Sequence, residues 1–192
     1  MRLNLEKPVQ TPSRHYIFVR HGESTDNVAD LISGLRDPGL TDVGLAQARD
    51  AADWIANYAS VKGVNDISIV SSPLKRAFGT AAIIASRLNL PEDSIVETSL
   101  LQERARGTLE GTLRASYSEE QLLQHGAESI TSIGHRVRLA LGDLALIESE
   151  IIVIVSHRHF MRYLIQALTG KPVSPEELAN ARPIEVKAKQ TL

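Results

Sequence analysis

Two kinds of hydrophobic spacing alternate along the chain. Short β-branched or aromatic runs occur at about His15–Val19, Ile67–Ser71, Ser94–Glu97 and Ile151–Val155. Between them, apolar residues recur near helical spacing, as in Leu45, Ala48, Ala52 and Ile55. Polar residues punctuate the starts. Ser24 is placed to cap a helix running to about Ile32, and Thr41 to cap a longer one. Pro73 opens a helix reaching about Leu88. Two helical stretches follow at about 118–124 and 129–148, and another at 159–169. Residues 98–115 read as irregular, with Gly107 and Gly111 as breaks. Pro175–Asn180 reads as a short helix, and Ile184–Lys189 alternates like an edge strand.

"IIVIV" at 151–155 has no polar face, as expected of a central parallel strand buried on both sides. Strands alternating with helices predict an α/β fold with a mostly parallel sheet covered on both faces. Residues 1–13, with Pro8 and Pro12, read as a loose lead-in to a single domain over 14–192.

Composition narrows this picture without changing it. The 192 residues suit one ordinary domain. A formal net charge of −2 gives no reason to expect nucleic-acid binding. With no cysteine, disulfides, thiolate metal sites and cysteine nucleophiles are excluded, and a cytoplasmic protein is expected. The N-terminus has no apolar stretch of the secretory type, and no run is long enough to span a bilayer, so no membrane partner is expected. Nothing in the sequence sets the oligomeric state.

The polar residues at strand ends carry the candidate chemistry. The first strand ends in Arg20-His21, the second leads through "SSPLKR" to Arg76, and the apolar strand ends in Ser156-His157-Arg158-His159. In an open parallel sheet the carboxyl ends of the strands share one edge, so these groups can converge. Asn27 can face the same crevice. Arginine offers a planar fork that matches phosphate oxygens, and a neutral imidazole is a competent nucleophile toward phosphorus. Taken alone, Arg20-His21 is equally readable as a turn pair and His157 as a core histidine. No nucleotide-binding glycine loop is present. His157 and His159 are two apart and do not share a helix face, which leaves a metal site poorly supported.

The ordered motifs resemble the histidine phosphatase superfamily, in its phosphoglycerate-mutase-like branch. They are "RHGES" at 20–24, "LTDVGLAQA" at 40–48, "SSPLKRAFGTA" at 71–81, "LQERARGTLEG" at 101–111, "ESI…RV" at 128–137 and "VSHRHFMRYL" at 155–164. The resemblance spans about residues 15 to 182. It implies a three-layer α/β sandwich with helices flanking the sheet. It implies a metal-independent, cofactor-free phosphoryl transfer in which His21 becomes phosphohistidine. Arg20, Asn27, Arg76 and His157 would bind the phosphoryl oxygens, with Ser24 nearby. Glu103 would protonate the leaving oxygen and then activate water; Glu110 is a nearby rival. The substrate would be a small phosphate ester or another phosphorylated molecule.

Two departures from the family pattern matter. Arg158 stands where the family usually has glycine. It either meets a second anionic group on the substrate, swings to solvent, or obstructs the pocket. The long insert that encloses substrate in the mutases is also missing, which favours hydrolysis. A mutase, or a phospho-ligand-binding protein without turnover, are the alternatives.

Overall fold

The computed structural model describes residues 15–187. The expected lead-in at 1–13 lies outside them. Five strands form one sheet: β1 (His15–Arg20), β2 (Ile67–Ser71), β3 (Val96–Glu97), β4 (Ile151–Ser156) and β5 (Pro183–Lys187). Their order is β3-β2-β4-β1-β5. All neighbours are parallel except β5, which runs antiparallel to β1 at the edge. The sheet is therefore mixed and mostly parallel. All six residues of β4 are buried, the outcome its unbroken apolar run requires of the middle strand.

Six α-helices flank the sheet: α1 (Thr25–Val28), α2 (Asp42–Lys62), α3 (Lys75–Arg87), α4 (Glu119–Gln124), α5 (Ile130–Ala145) and α6 (Arg158–Thr169). Strand side chains alternate between faces, and this splits the core in two. Tyr16, Phe18, Ile152 and Ile154 pack with α5 and α6 on one face. Ile17, Val19, Val153 and Val155 pack with α2 and α3 on the other. The result is the three-layer sandwich.

Several expected elements differ: the strand expected over 94–97 is confined to Val96–Glu97 behind a 3-10 turn at Glu92–Ser94, and the helix expected to reach 148 ends at Ala145. The helix after Ser24 ends at Val28, because Asp30 turns left-handed at φ 51° and sends the chain into a loop. The helix expected from Pro73 starts at Lys75, with Leu74 at the N-cap. Pro175–Asn180 is a series of turns rather than a helix, with Ala181 at φ 49° preventing continuation. Between Ser99 and Leu109 the irregular segment contains two single turns of 3-10 helix. The edge strand is described to Lys187; its expected last residues lie beyond.

The register places the chemistry. Arg20 pairs with Ser156, and Ser71 with Val155, so three strands finish level. The next residues, His21 and Ser72, still donate backbone N–H bonds to β4 carbonyls, at 3.0 Å each. His21 is thus held at the sheet edge rather than in a free loop.

Candidate active site

The turn after His21 is clamped by the start of α2. Thr41 caps that helix by accepting from Gly44 N–H at 3.0 Å, while its hydroxyl donates to Glu23 Oε1 at 2.7 Å. Gln47 Oε1 accepts from the Glu23 N–H at 2.9 Å. Gly22 and Gly44 meet backbone to backbone, and a Cβ on either would collide with a carbonyl oxygen of the other segment. From the other side, Thr80 of α3 accepts the Gly22 N–H at 3.0 Å and donates to Arg76 O at 2.8 Å. Asn180 donates to His21 O at 2.9 Å.

These ties hold His21 in one orientation. Its Nδ1 lies 2.7 Å from Gly22 O, and a carbonyl only accepts, so the ring proton sits on Nδ1. Nε2 is left with its lone pair. Burial, and then the charges of Arg76 and Arg20, push the His21 pKa well below its ordinary value, so the ring is neutral at pH 7. His157, fully buried, lies with its ring centroid 5.1 Å from that of His21. It meets Ser72 Oγ through Nε2 at 2.8 Å, and its Nδ1 has no partner among the described residues. Burial and Arg76 keep it neutral as well.

A cavity of about 440 Å³ opens over this end of the sheet, and Arg20, His21, Asn27, Arg76 and Glu103 line it. Arg76 is 1% exposed and donates to Arg36 O at 2.6 Å and Gly34 O at 2.9 Å, which orients its guanidinium. Arg20 donates to Leu178 O at 3.3 Å; burial and Arg158 lower its pKa to about 10, which leaves it charged. The Asn27 side-chain oxygen accepts from Ser24 N–H at 3.1 Å and from Asn180 at 3.3 Å, which leaves the amide N–H groups as donors.

Glu103 lines the cavity and its rival does not. Glu110 accepts from the backbone N–H groups of Leu35 and Arg106, and so ties the 33–37 loop to the irregular segment. Glu103 accepts from the N–H groups of Arg104, Phe160 and His159 at 2.9, 3.2 and 3.3 Å, the last two at the start of α6. Burial pushes its pKa up, but His159 and these N–H bonds outweigh burial, and the net direction is down.

Ser24, expected to contact phosphate, is 0% exposed and does not line the cavity; it occupies the N-cap position of α1. Arg158 does line the cavity, as do His159, Arg106, Arg114 and Arg162, which motif reading left out. Arg158 and Arg162 lie one turn apart on α6, a relation visible only once the helix start is known. Among the described residues, no three His, Asp or Glu side chains converge as a metal-binding group, and no helix is long and apolar enough to cross a membrane.

The arrangement is a neutral, oriented imidazole beneath converging guanidiniums, with a carboxylate at the cavity wall. Comparison with known proteins agrees with it. The family model of the histidine phosphatase superfamily, branch 1, matches residues 16–186.

The chain belongs to that superfamily.

It is 31% identical over 182 residues to a 2,3-bisphosphoglycerate-dependent phosphoglycerate mutase of Brucella ovis, covering 86% of this chain and 85% of the relative. A mycobacterial glucosyl-3-phosphoglycerate phosphatase structure, with VO3, superposes with a TM-score of 0.70 at 24% identity, over 90% of each chain. A phosphoglycerate mutase of Bacillus anthracis gives 0.67 at 16% identity, over 92% of this chain and 88% of that one. At these identities the two structures show the shared fold, and membership in the superfamily makes the chain a phosphoryl-transfer enzyme.

The buried histidines of this superfamily member make its stability depend on pH. His21 and His157 are held well below the ordinary histidine value, and His159 is lowered to about 4, burial being the largest cause in each. A lowered folded-state value means that the unfolded chain takes up the proton first. Stability is therefore complete above about pH 6.5 and falls as pH drops toward 4 and below, each histidine adding a slope of about 1.4 kcal/mol per pH unit within its window. Calorimetry from about pH 7.5 down to about 4.5 is expected to show Tm falling steadily below about pH 6.5. A flat Tm down to about pH 5 contradicts buried neutral histidines.

Proposed function

We propose that the chain is a metal-independent phosphatase that hydrolyses a phosphomonoester through phosphohistidine on His21. The observation that carries this reading is the His21–Gly22 hydrogen bond at 2.7 Å, which leaves the Nε2 lone pair of a neutral ring available beneath Arg20 and Arg76. In the first step Nε2 attacks phosphorus and the ester P–O bond breaks, while Glu103 gives a proton to the departing oxygen. Arg20, Arg76 and the Asn27 amide stabilise the equatorial oxygens as charge spreads over them; His157, buried and outside the cavity lining, has only its unpartnered Nδ1 to offer, from behind His21. In the second step ionised Glu103 takes a proton from water, whose oxygen attacks phosphorus and breaks the P–N bond. Phosphate leaves, and Glu103 is protonated again.

The protein's own groups lower the proton affinity of Glu103. A phosphoryl dianion entering beside it offsets the nearby positive charge and favours protonation. The proton must still come from solvent or from the substrate monoanion. For an alkyl phosphate, kcat/KM is therefore expected to rise as pH falls from 8 toward the phosphate pKa of about 6. Glu103→Gln is expected to lower kcat for the alkyl phosphate by about 10²–10⁴-fold, and to affect the first step far less for p-nitrophenyl phosphate, whose leaving group needs no proton. Single-turnover release of the two alcohols measures this. Equal losses for both substrates would remove Glu103 from the acid role.

Mutase activity is the second reading, because the curated relatives at 31% identity are mutases. Hydrolysis is favoured by the segment over the cavity. Residues 112–116 are exposed, with Leu113 at 70%, and nothing is inserted there to keep water from a phosphoenzyme. Net release of inorganic phosphate separates the readings: a phosphatase releases one phosphate per ester consumed, whereas a mutase redistributes it between positions.

A further inference from the structure

The chain as a whole is slightly acidic, with a formal net charge of −2, yet six arginines line this cavity and Glu103 is the single carboxylate among its lining residues. Three of the six have a local explanation. Arg20 and Arg76 flank His21, and Arg114 is paired with Asp30 at 2.9 Å. Arg106, Arg158 and Arg162 have no side-chain hydrogen bond or ion pair among the described residues. Elsewhere Arg36, Arg87, Arg104 and Arg136 each meet a carboxylate. The nearest competing carboxylate on this wall, Glu119, is taken by Arg104 at 2.6 Å.

Three uncompensated guanidiniums on one wall repel one another. A transferred phosphoryl dianion and Glu103 do not supply enough negative charge to balance the five arginines that remain once Arg114 is paired with Asp30. We infer that the outer half of the cavity is a second anion subsite, in which Arg106, Arg158 and Arg162 hold a phosphate or carboxylate group of the same substrate. The inference rests on the reading of the Arg20–His21 end as the phosphoryl site, and it specifies the substrate as a phosphoester with a second anionic group.

The three residues are graded in depth. Arg158 begins α6, next to His157, and its charge is felt by both Arg20 and His21. Arg162 lies one helical turn farther along the same face, about 5.4 Å. Its charge and that of Arg106 are felt at His159 instead. Arg106 approaches from the irregular segment just before Gly107, opposite α6. His159 also lines the cavity, with Nε2 buried and unpartnered among the described residues, and its ring packs against Tyr163 at 5.3 Å. Arg158 and Arg162 are one helical turn apart, and a spacer of roughly two to four atoms between the two anionic groups bridges a span of that order. Arg158 then links the two sites, which accounts for arginine where the family usually has glycine.

The test is binding of non-hydrolysable probes to the full chain by calorimetry, so that it is independent of turnover. The probes are an alkyl monophosphonate, the α,ω-bisphosphonate of the same chain length (two to four carbons, roughly the bridged span), and the matching phosphonocarboxylate. Wild type is expected to bind one of the two bis-anionic probes at least about tenfold more tightly than the monophosphonate. The preferred bis-anionic probe shows whether phosphate or carboxylate is the second group. In Arg158→Gln/Arg162→Gln the advantage is expected to shrink to about threefold or less. Equal binding of all three probes by wild type overturns the inference, as does an undiminished advantage in the double variant. If that variant does not fold, Arg106→Gln takes its place with the same expectation. Retained bis-anion preference without phosphate release from any ester removes the phosphatase reading and keeps the subsite. Active hydrolysis with equal probe binding removes the subsite alone.

Discussion

His21→Ala is expected to lower kcat/KM for any phosphomonoester by about 10⁴-fold or more, and to leave folding intact. The size follows from the role. The substitution removes the atom that forms the P–N bond, and no other imidazole presents a nitrogen in its place: His157 is fully buried behind it, its Nε2 bonded to Ser72 at 2.8 Å, and the Nε2 of His159 is buried although that residue lines the cavity. Among the described residues the removed side chain has one hydrogen-bond partner, the neighbouring Gly22 carbonyl. The backbone of residue 21 keeps its bonds to Ser156 and Asn180. Tm is therefore expected to change little, or to rise at acidic pH, where a buried neutral histidine disfavours the folded state. Steady-state phosphate release and calorimetry on the same preparation check both halves. Activity within about tenfold of wild type would require a different nucleophile.

Arg76→Ala is expected to cost about 10³-fold in kcat/KM and to lower Tm as well. Both effects have one origin. The guanidinium is buried between the carbonyls of Gly34 and Arg36 and the cavity, so it holds the 33–37 loop and faces the phosphoryl position at once. Truncation leaves two carbonyls short of a donor, at about 1–3 kcal/mol for the group, and removes the preorganised charge that meets the transition state. Arg76→Lys separates the two effects. A lysine keeps the charge but not the planar fork, and it reaches one carbonyl rather than two. It is expected to recover part of the activity while Tm remains depressed. Full recovery by lysine would show that charge alone is needed at this position.

Features set by local pattern were readable from the chain. The uniform apolar character of residues 151–155 predicted a middle strand, and β4 occupies the middle of the sheet. Thr41 was readable as a cap, and it accepts from Gly44. The convergence of Arg20, His21 and Arg76 followed from strand ends sharing an edge, which needs no contact information.

What depended on contacts between distant segments was hidden. Nothing near Ser24 signals that its helix stops at Val28; the stop comes from a left-handed Asp30 beside a loop bound to residues 111–114. Glu103 and Glu110 are chemically alike in sequence, and they are distinguished only by what surrounds each: cavity for one, the N–H groups of Leu35 and Arg106 for the other. Thr80 and Asn180 hold the His21–Gly22 turn from 58 and 159 residues away. Arg106 and Arg162 lie inside quoted motifs but were given no role there, and it is the fold that brings both to the lining of one cavity.

The central claim is that His21 carries the phosphoryl group. A radiolabelled phosphomonoester, mixed with enzyme in single turnover and quenched under alkaline denaturing conditions that preserve phosphohistidine, tests it directly. Labelled phosphate should appear on the peptide containing His21 before free phosphate accumulates, should be lost on mild acid treatment, and should be absent in His21→Ala. Phosphate release without any labelled protein, or label on a peptide that lacks His21, would contradict the account.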